Sequence, residues 1–587
     1  MGVSELIMKA KHAVTTKEGF LEMIRTKETE KMAQNRANGE QLLSNVDLDP
    51  SPPEARKWGF WYFFAFEFSV AFSPTSYNVG ASLISIGLPY WAIITSAFIA
   101  SALCAAVIYL NSRVGAVYHI GFPVSVRISA GIRGSMFFMF IRAVVAILYM
   151  ATQSLYASFL TSVCLRCIFG HYWTDIKNTL PANAGVTTSG LAAFIIFWLI
   201  QLPFAFIHPS KAAPVFAAKS IVVPPCLLVT MIWCLVKAGG PHWEKFEKAE
   251  IHGSAAAWAW LLAINSIISG TLPPLINIPD LSRYAKKPSD VSPLALGLFL
   301  SKPIIIIIGI LTTAAGNQLY GTAYWNIWDL YQSILTANWH SSTRFLVFVG
   351  ALTQIYATMV TNISSNSIPV GCDLAGLFPR YFTIRRGQIL CSILAFAIAP
   401  WKIVYSAASF LTFLGSYVCF ITPIAITMIV DYWIVRRGNV HIPSLYRPNS
   451  SSPYWYYWGF NLRAYAAWAI GVGLTIAGIA GKLNQGSVPT SVVNIYNTSF
   501  ILSAAASGLF YYLFTRIWPP PVYPAQHEHE PKTWEYMRSS DGYIDEDERI
   551  YPEISGIAVD VGDGVNDFTA QPIAISAAEK DIEKEKY

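Results

Sequence analysis

The sequence predicts an all-helical polytopic membrane protein with twelve spans, and three observations carry that prediction. Of the 587 residues, 54% are hydrophobic and only 13% are charged, against roughly 25% charged in soluble domains. Apolar stretches near the roughly 20 residues needed to cross a bilayer recur along most of the chain. Lys and Arg collect in alternate loops, as expected of short cytoplasmic connections.

Taken in order, the candidate spans are 59 to 82, 91 to 110, 136 to 163, 190 to 207, 218 to 238, 256 to 279, 294 to 316, 344 to 369, 387 to 401, 407 to 432, 463 to 481 and 497 to 517. The ninth is the shortest. With a cytosolic N-terminus, the inside loops hold Arg113, Arg127 and Arg133; Lys211; Arg283, Lys286 and Lys287; Arg380, Arg385 and Arg386; and Arg436, Arg437 and Arg447. Among the outside loops, 83 to 90 has no charge, and in "EKFEKAEIH" acids offset bases. Span count and orientation therefore support each other.

The expected domains are a cytosolic tail over 1–57, a transporter domain over 58–518 and a polar, disordered cytosolic tail over 519–587. The N-terminal stretch lacks the apolar core of a signal peptide. Lys580, Lys584 and Lys586 offer sites for ubiquitin-dependent endocytic machinery. The formal charge of +6 is too modest to indicate a nucleic-acid partner. The eight cysteines lie mostly within or at the ends of apolar segments. They read as buried thiols, with no disulfide framework, metal site or cofactor expected.

Two spans should be interrupted. The first reads "WGFWYFFAFEFSVAFSPTSYNVGASLI" and the sixth "WLLAINSIISGTLPPLINIPDLSRY", each with Pro near its middle, where the ring removes a donor and clashes with the preceding turn. Breaks five spans apart suggest a five-plus-five inverted repeat, whose discontinuous helices expose backbone groups to a ligand. The repeat-related third and eighth spans carry amides: Tyr149 and Gln153 are i and i+4 on one face, and so are Asn362 and Asn366. An aromatic ring with neutral amides suits a flat molecule with an N–H and C=O edge, because amides supply donors and acceptors without a charge to desolvate.

Three motifs resemble the nucleobase-cation symporters, of the purine-cytosine permease and uracil-allantoin-uridine permease type, especially the fungal Fur-like branch with its related thiamine carriers. They are "NIPDLSRYAKKPSD" at 277 to 290, "TNISSNSIPVGCDLAGLFPRYFTIRRGQ" at 361 to 388 and "DYWIVRRG" at 431 to 438. The resemblance implies a LeuT-like fold of ten core helices plus two peripheral ones, in the plasma membrane, importing a small molecule of the uracil, uridine or allantoin class. Thiamine and nicotinamide riboside are the alternative ligands, and a non-transporting nutrient receptor is the alternative of another class. Carried over by position, the substrate site falls on Tyr149, Gln153, Thr271, Asn362 and Asn366. Thr271 stands where the family has a second stacking Trp, which favours a bulkier or less planar ligand. Of the family's sodium positions, Ala357 and Thr361 match, but Val360 replaces a hydroxyl. Proton coupling through Glu67 is therefore expected over sodium. Lys302 offers Glu67 a buried ion pair as the competing role. Asp280 and Arg283 read as capping and gate structure at a helix end.

Overall fold

The computed structural model describes residues 25–26, 43–241, 251–402, 407–483 and 488–522. All belong to one unit, Met1–Tyr536, and the second unit, Met537–Tyr587, lies outside the described residues. So do the predicted disorder of most of the C-terminal tail, the three ubiquitin-acceptor lysines, and most of the N-terminal tail. Among the described residues there is no strand, only two isolated bridges.

Among the described residues, nine helical segments are long and apolar enough to cross a membrane: Tyr90–Tyr118, Gly134–Phe169, Thr188–Phe206, Ala213–Ala238, Pro288–Tyr320, Ser341–Leu377, Leu411–Val435, Leu462–Lys482 and Ser499–Ile517. The other three predicted spans are the first, sixth and ninth. The first is divided into α1 (Phe60–Ala71) and α2 (Pro74–Leu83). At the junction Phe72 has ψ 85° and Ser73 is extended, with φ −143° and ψ 157°. Next come α3 (Tyr90–Tyr118), α4 (Phe122–Ala130), α5 (Gly134–Phe169), α6 (Thr188–Gln201) and α7 (Ala213–Ala238). The sixth span is divided into α8 (Gly253–Ser269), α9 (Leu272–Asn277) and α10 (Pro279–Ser282), with Gly270 and Thr271 at the first junction. The ninth is a helix of only 14 residues, Ile384–Ala397.

The prolines act by position. Pro74 and Pro273 open the second half-helices, where a missing N–H has no intrahelical partner to lose. Pro303 and Pro423, by contrast, lie inside continuous helices, α11 (Pro293–Tyr320) and the later Ala407–Val430. Proline alone therefore does not mark a break. α12 (Ser341–Asn362) runs through a π-helical turn at Ile363–Ser367 into α13 (Ile368–Leu377), which leads to α14 (Ile384–Ala397). α15 (Ala407–Val430), α16 (Leu462–Leu483) and α17 (Ser499–Ile517) pack on one another.

Packing sorts the core into two groups. The broken helices lie with α3 and α11, while α5 gathers α6, α12, α13 and α14. α7 touches both groups. Backbones approach closely in the first group: a Cβ on Gly80 would meet the Ile306 carbonyl oxygen at 2.7 Å, and one on Gly309 would meet that of Tyr77 at 2.7 Å. Small residues permit such contact between helices, where lipid supplies no hydrophobic drive.

The segment before α1 crosses the end of the molecule that carries the basic loops. Arg283 donates to Ser51 Oγ (2.6 Å) and to the carbonyls of Asp47 (2.8 Å) and Asp49. Asp47 accepts from the Ile384 amide at 2.8 Å and contacts His208 at 3.3 Å, and Asn45 donates to the carbonyls of Pro379 and Phe382. One short stretch of chain thus straps together helices of both groups.

Candidate functional site

A small enclosed cavity lies where the two breaks face α5 and the π-helical turn. Glu67, Ser73, Thr75 and Ser76 come from the first broken span, Gly270, Thr271 and Pro273 from the other, Tyr149 and Gln153 from α5, Lys302 from α11, and Thr361, Ser365 and Asn366 from around the π turn. The breaks create this space because the chain leaves helical geometry on both sides of it. π turns concentrate at functional sites. This one accompanies the Asn277 side chain donating to the Ser365 carbonyl at 3.0 Å, which ties the second half of the sixth span to the eighth.

Tyr149 and Gln153 both line the cavity, as their shared face predicts. Gln153 Oε1 accepts from Thr75 Oγ1 at 2.8 Å. The Tyr149 ring packs at 5.2 Å from Phe413 and edge-on at 4.7 Å from Tyr417, both on α15. Thr271 lines the cavity, its hydroxyl donating to the Ile267 carbonyl at 3.1 Å.

The two asparagines part company. Asn366 lines the cavity, gives its amide to Asn362 Oδ1 at 2.9 Å, and keeps a buried Oδ1 with no hydrogen-bond partner. Asn362 does not line the cavity. Its amide donates to Gln201 Oε1 at 2.8 Å and to Ser154 Oγ at 3.3 Å, so it links three helices and holds Asn366 in place. The i, i+4 spacing that placed both on one face also lets them bond to each other, so only one reaches the cavity.

Around Glu67 the charges are arranged differently from the competing ion-pair reading. Glu67 is 1% exposed and its Oε2 has no hydrogen-bond partner. Lys302 Nζ instead donates to Ser76 Oγ at 2.9 Å. A second ammonium, which the sequence reading passed over, comes from α7: Lys219 Nζ donates to Thr361 Oγ1 at 2.7 Å. Thr361 in turn donates to the Ala357 carbonyl at 2.9 Å, so Ala357 enters only through its backbone. The acid therefore lies within the electrostatic reach of two ammoniums while bonded to neither. A lone Lys in the apolar run "VFAAKSIVV" was the available signal, because an intramembrane charge is functional by default.

Asp280 and Arg283 do not pair. Arg283 holds the strap, while Asp280 accepts from the Phe122 amide at 2.9 Å and from Arg142 at 2.9 Å. Arg142, also passed over in the sequence, forms a bidentate pair with Asp373 (2.7 and 2.6 Å) and bonds Asn277 Oδ1 at 3.0 Å. Its guanidinium stacks on Phe122, 3.7 Å from the ring centroid. Through this residue α5 and α13 of one group are tied to α9 and α10 of the other.

Broken helices around a cavity lined with amides, hydroxyls, one acid and one lysine have the architecture of a membrane permease. The comparisons with known proteins then give the particular family. Residues 50–503 match the model for permeases of cytosine/purines, uracil, thiamine and allantoin, and the chain belongs to that family. The allantoin permease of Saccharomyces cerevisiae is 30% identical over 508 residues, covering 84% of this chain and 79% of that protein. The uracil permease of the same yeast is 31% identical over 505 residues, covering 84% and 79%. Among solved structures, the nucleobase-cation-symport-1 transporter Mhp1, in a closed conformation with bromovinylhydantoin bound, superposes with a TM-score of 0.64 at 19% identity, covering 83% of this chain and 99% of that one. The chain is thus a nucleobase-cation symporter family transporter.

Proposed function

We propose that the chain imports a nucleobase-related small molecule of the uracil, uridine or allantoin class by proton symport, through twelve spans of which the first ten form a five-plus-five inverted repeat. The positive-inside pattern supports cytosolic termini, and the plasma membrane is the proposed location. Tyr149 stacks the ring and Gln153 and Asn366 read its edge. The observation that carries this reading is Asn366, a cavity-lining residue whose buried Oδ1 has no hydrogen-bond partner, because an unsatisfied acceptor costs about 1–3 kcal/mol unless a ligand donates to it. Thr271, small where the family has an indole, leaves room for a ligand less flat than uracil, which favours uridine or allantoin.

Proton coupling rests on Glu67 and Lys219 together. The lysine ammonium bonds the Thr361 hydroxyl that relatives offer to sodium, and Val360 brings no second oxygen. A resident ammonium and a missing ligand leave a poor site for a hard cation. Glu67, unpaired and buried, is the group that takes up and releases the proton. Asp280, held by Arg142, and Arg283, held by the strap, keep the basic end shut. The test is uptake of uracil, uridine, allantoin, thiamine and nicotinamide riboside by a permease-deficient fungal strain. Accumulation should collapse with a protonophore and ignore external sodium; sodium-dependent accumulation at fixed pH in proteoliposomes would defeat the proton assignment.

A further inference from the structure

The family's own description joins two chemically different kinds of ligand: uncharged rings such as uracil and allantoin, and thiamine, which carries a permanently charged thiazolium. We infer that this chain's cavity takes uncharged cyclic imides and ureides and rejects organic cations, and that Lys302 is the residue setting that choice. The inference rests on the transport reading above and narrows it.

The charge at and just behind the cavity wall is lopsided. Among the described lining residues Glu67 is the one acid and Lys302 the one base. Lys302 is 2% exposed, held with its ammonium on Ser76 Oγ, inside the cavity wall. Lys219 adds a second ammonium behind Thr361, itself a lining residue. Two ammoniums against one carboxylate leave a formal +1 when Glu67 is ionised and +2 when it carries a proton. The other nearby acids, Asp280 and Asp373, lie outside the lining, where both are bonded to Arg142. The half-helix ends do not reverse the sign either. The N-terminal end of α2 faces the gap with Ser73, Thr75 and Ser76, and the carbonyl end of α1 faces it with Val70 and Ala71, so their dipoles oppose each other. In so buried a site such fixed charges act strongly.

Sites for quaternary cations are usually built as aromatic cages. Here Tyr149 is the one aromatic side chain among the described lining residues, and it already packs against Phe413 and Tyr417. What the cavity offers instead is the complement of an imide edge. Asn366 Oδ1 is a free acceptor for a ring N–H, and the ammonium of Lys302 has protons beyond the one given to Ser76 for a ring carbonyl. Rejection by a repulsive group is a usual way to separate ligands of similar size.

The experiment uses the full chain in proteoliposomes, with labelled uracil, uridine and allantoin as probes, labelled thiamine beside them, and unlabelled thiamine as competitor. The wild type should carry at least one uncharged probe, fail to carry thiamine, and lose no uptake to a hundredfold excess of it. Lys302→Met should admit thiamine as a competitor, its inhibition constant falling at least tenfold, while Lys302→Arg keeps it out. Thiamine uptake by the wild type would overturn the inference and leave the transporter reading standing, and it decides the matter even if Lys302→Met does not fold. A folded Lys302→Met that still excludes thiamine while carrying an uncharged probe would remove Lys302 from the role. Silence toward every probe would overturn the transport reading and the inference with it.

Discussion

Two buried charge clusters occupy the same helix bundle, and they are built on opposite principles. At the basic end Arg142 spends its guanidinium on Asp373, Asp280, Asn277 and the Pro369 carbonyl. In the central cavity Glu67 Oε2 and Asn366 Oδ1 are buried with no hydrogen-bond partner at all. A charge taken out of water persists only when it is paired and its hydrogen-bonding capacity is met, so the first cluster is structure. The second keeps bonding capacity unmet beside the cavity. The difference teaches that burial and charge alone do not mark a candidate site; unmet bonding capacity on residues that line the cavity between the two breaks does.

The comparison breaks most visibly at Arg142. Arg142→Leu strands two buried carboxylates and should cost about 3–5 kcal/mol, read as lost monodisperse protein and a much lower Tm. Arg142→Lys should fall between, since the charge remains but the bidentate geometry goes. If Arg142→Leu were as stable as the wild type, the satisfied cluster would not be holding the two helix groups together.

Glu67→Gln should do the reverse. Because Glu67 has no ion partner, its neutralisation should leave Tm nearly unchanged, while uptake against a gradient is lost and exchange of substrate across the membrane survives. A large fall in Tm, rescued by Lys302→Met, would restore the ion-pair account and erase the contrast between the clusters.

Asn366→Ala should weaken substrate binding by about 1–3 kcal/mol with little effect on folding. Asn362→Ala should lower Tm instead, because its amide links α12 to Gln201 and Ser154. Equal affinity losses without any stability loss in Asn362→Ala would place both amides in the binding site. Tyr149→Phe should retain most of the affinity, whereas Tyr149→Ala should lose about 0.5–1.5 kcal/mol of stacking beyond burial, measured by substrate competition.

The strap gives the smallest effect and a sign that can be checked. Burial by itself would raise the Asp47 carboxyl, but the hydrogen bonds from His208 and the Ile384 amide, with the charges of His208 and Arg283, hold it below its ordinary value. A depressed carboxylate stabilises the fold above its unfolded pKa and loses that contribution as pH falls through the folded one. Asp47→Asn should therefore cost under about 1 kcal/mol at neutral pH and nothing in acid below the ordinary carboxylate range. A Tm difference that persisted there would assign Asp47 a role other than its charge.

Much of this was legible in one dimension. Apolar run lengths gave the long spans, and Pro beside Gly, Ser and Thr gave the two breaks, because both depend on what a residue does to its own backbone. The shared face of Tyr149 and Gln153 followed from helical spacing in the same way. What the pattern missed depends on which helices lie side by side. Lys219 meets Thr361 across 142 positions of sequence, and Arg142 meets Asp373 across 231; neither distance leaves a local signature. The same reason divides Asn362 from Asn366 and Lys302 from Glu67. Periodicity puts a polar group on a face, but the neighbouring helix decides whether that group is consumed by a bond or left open to a ligand.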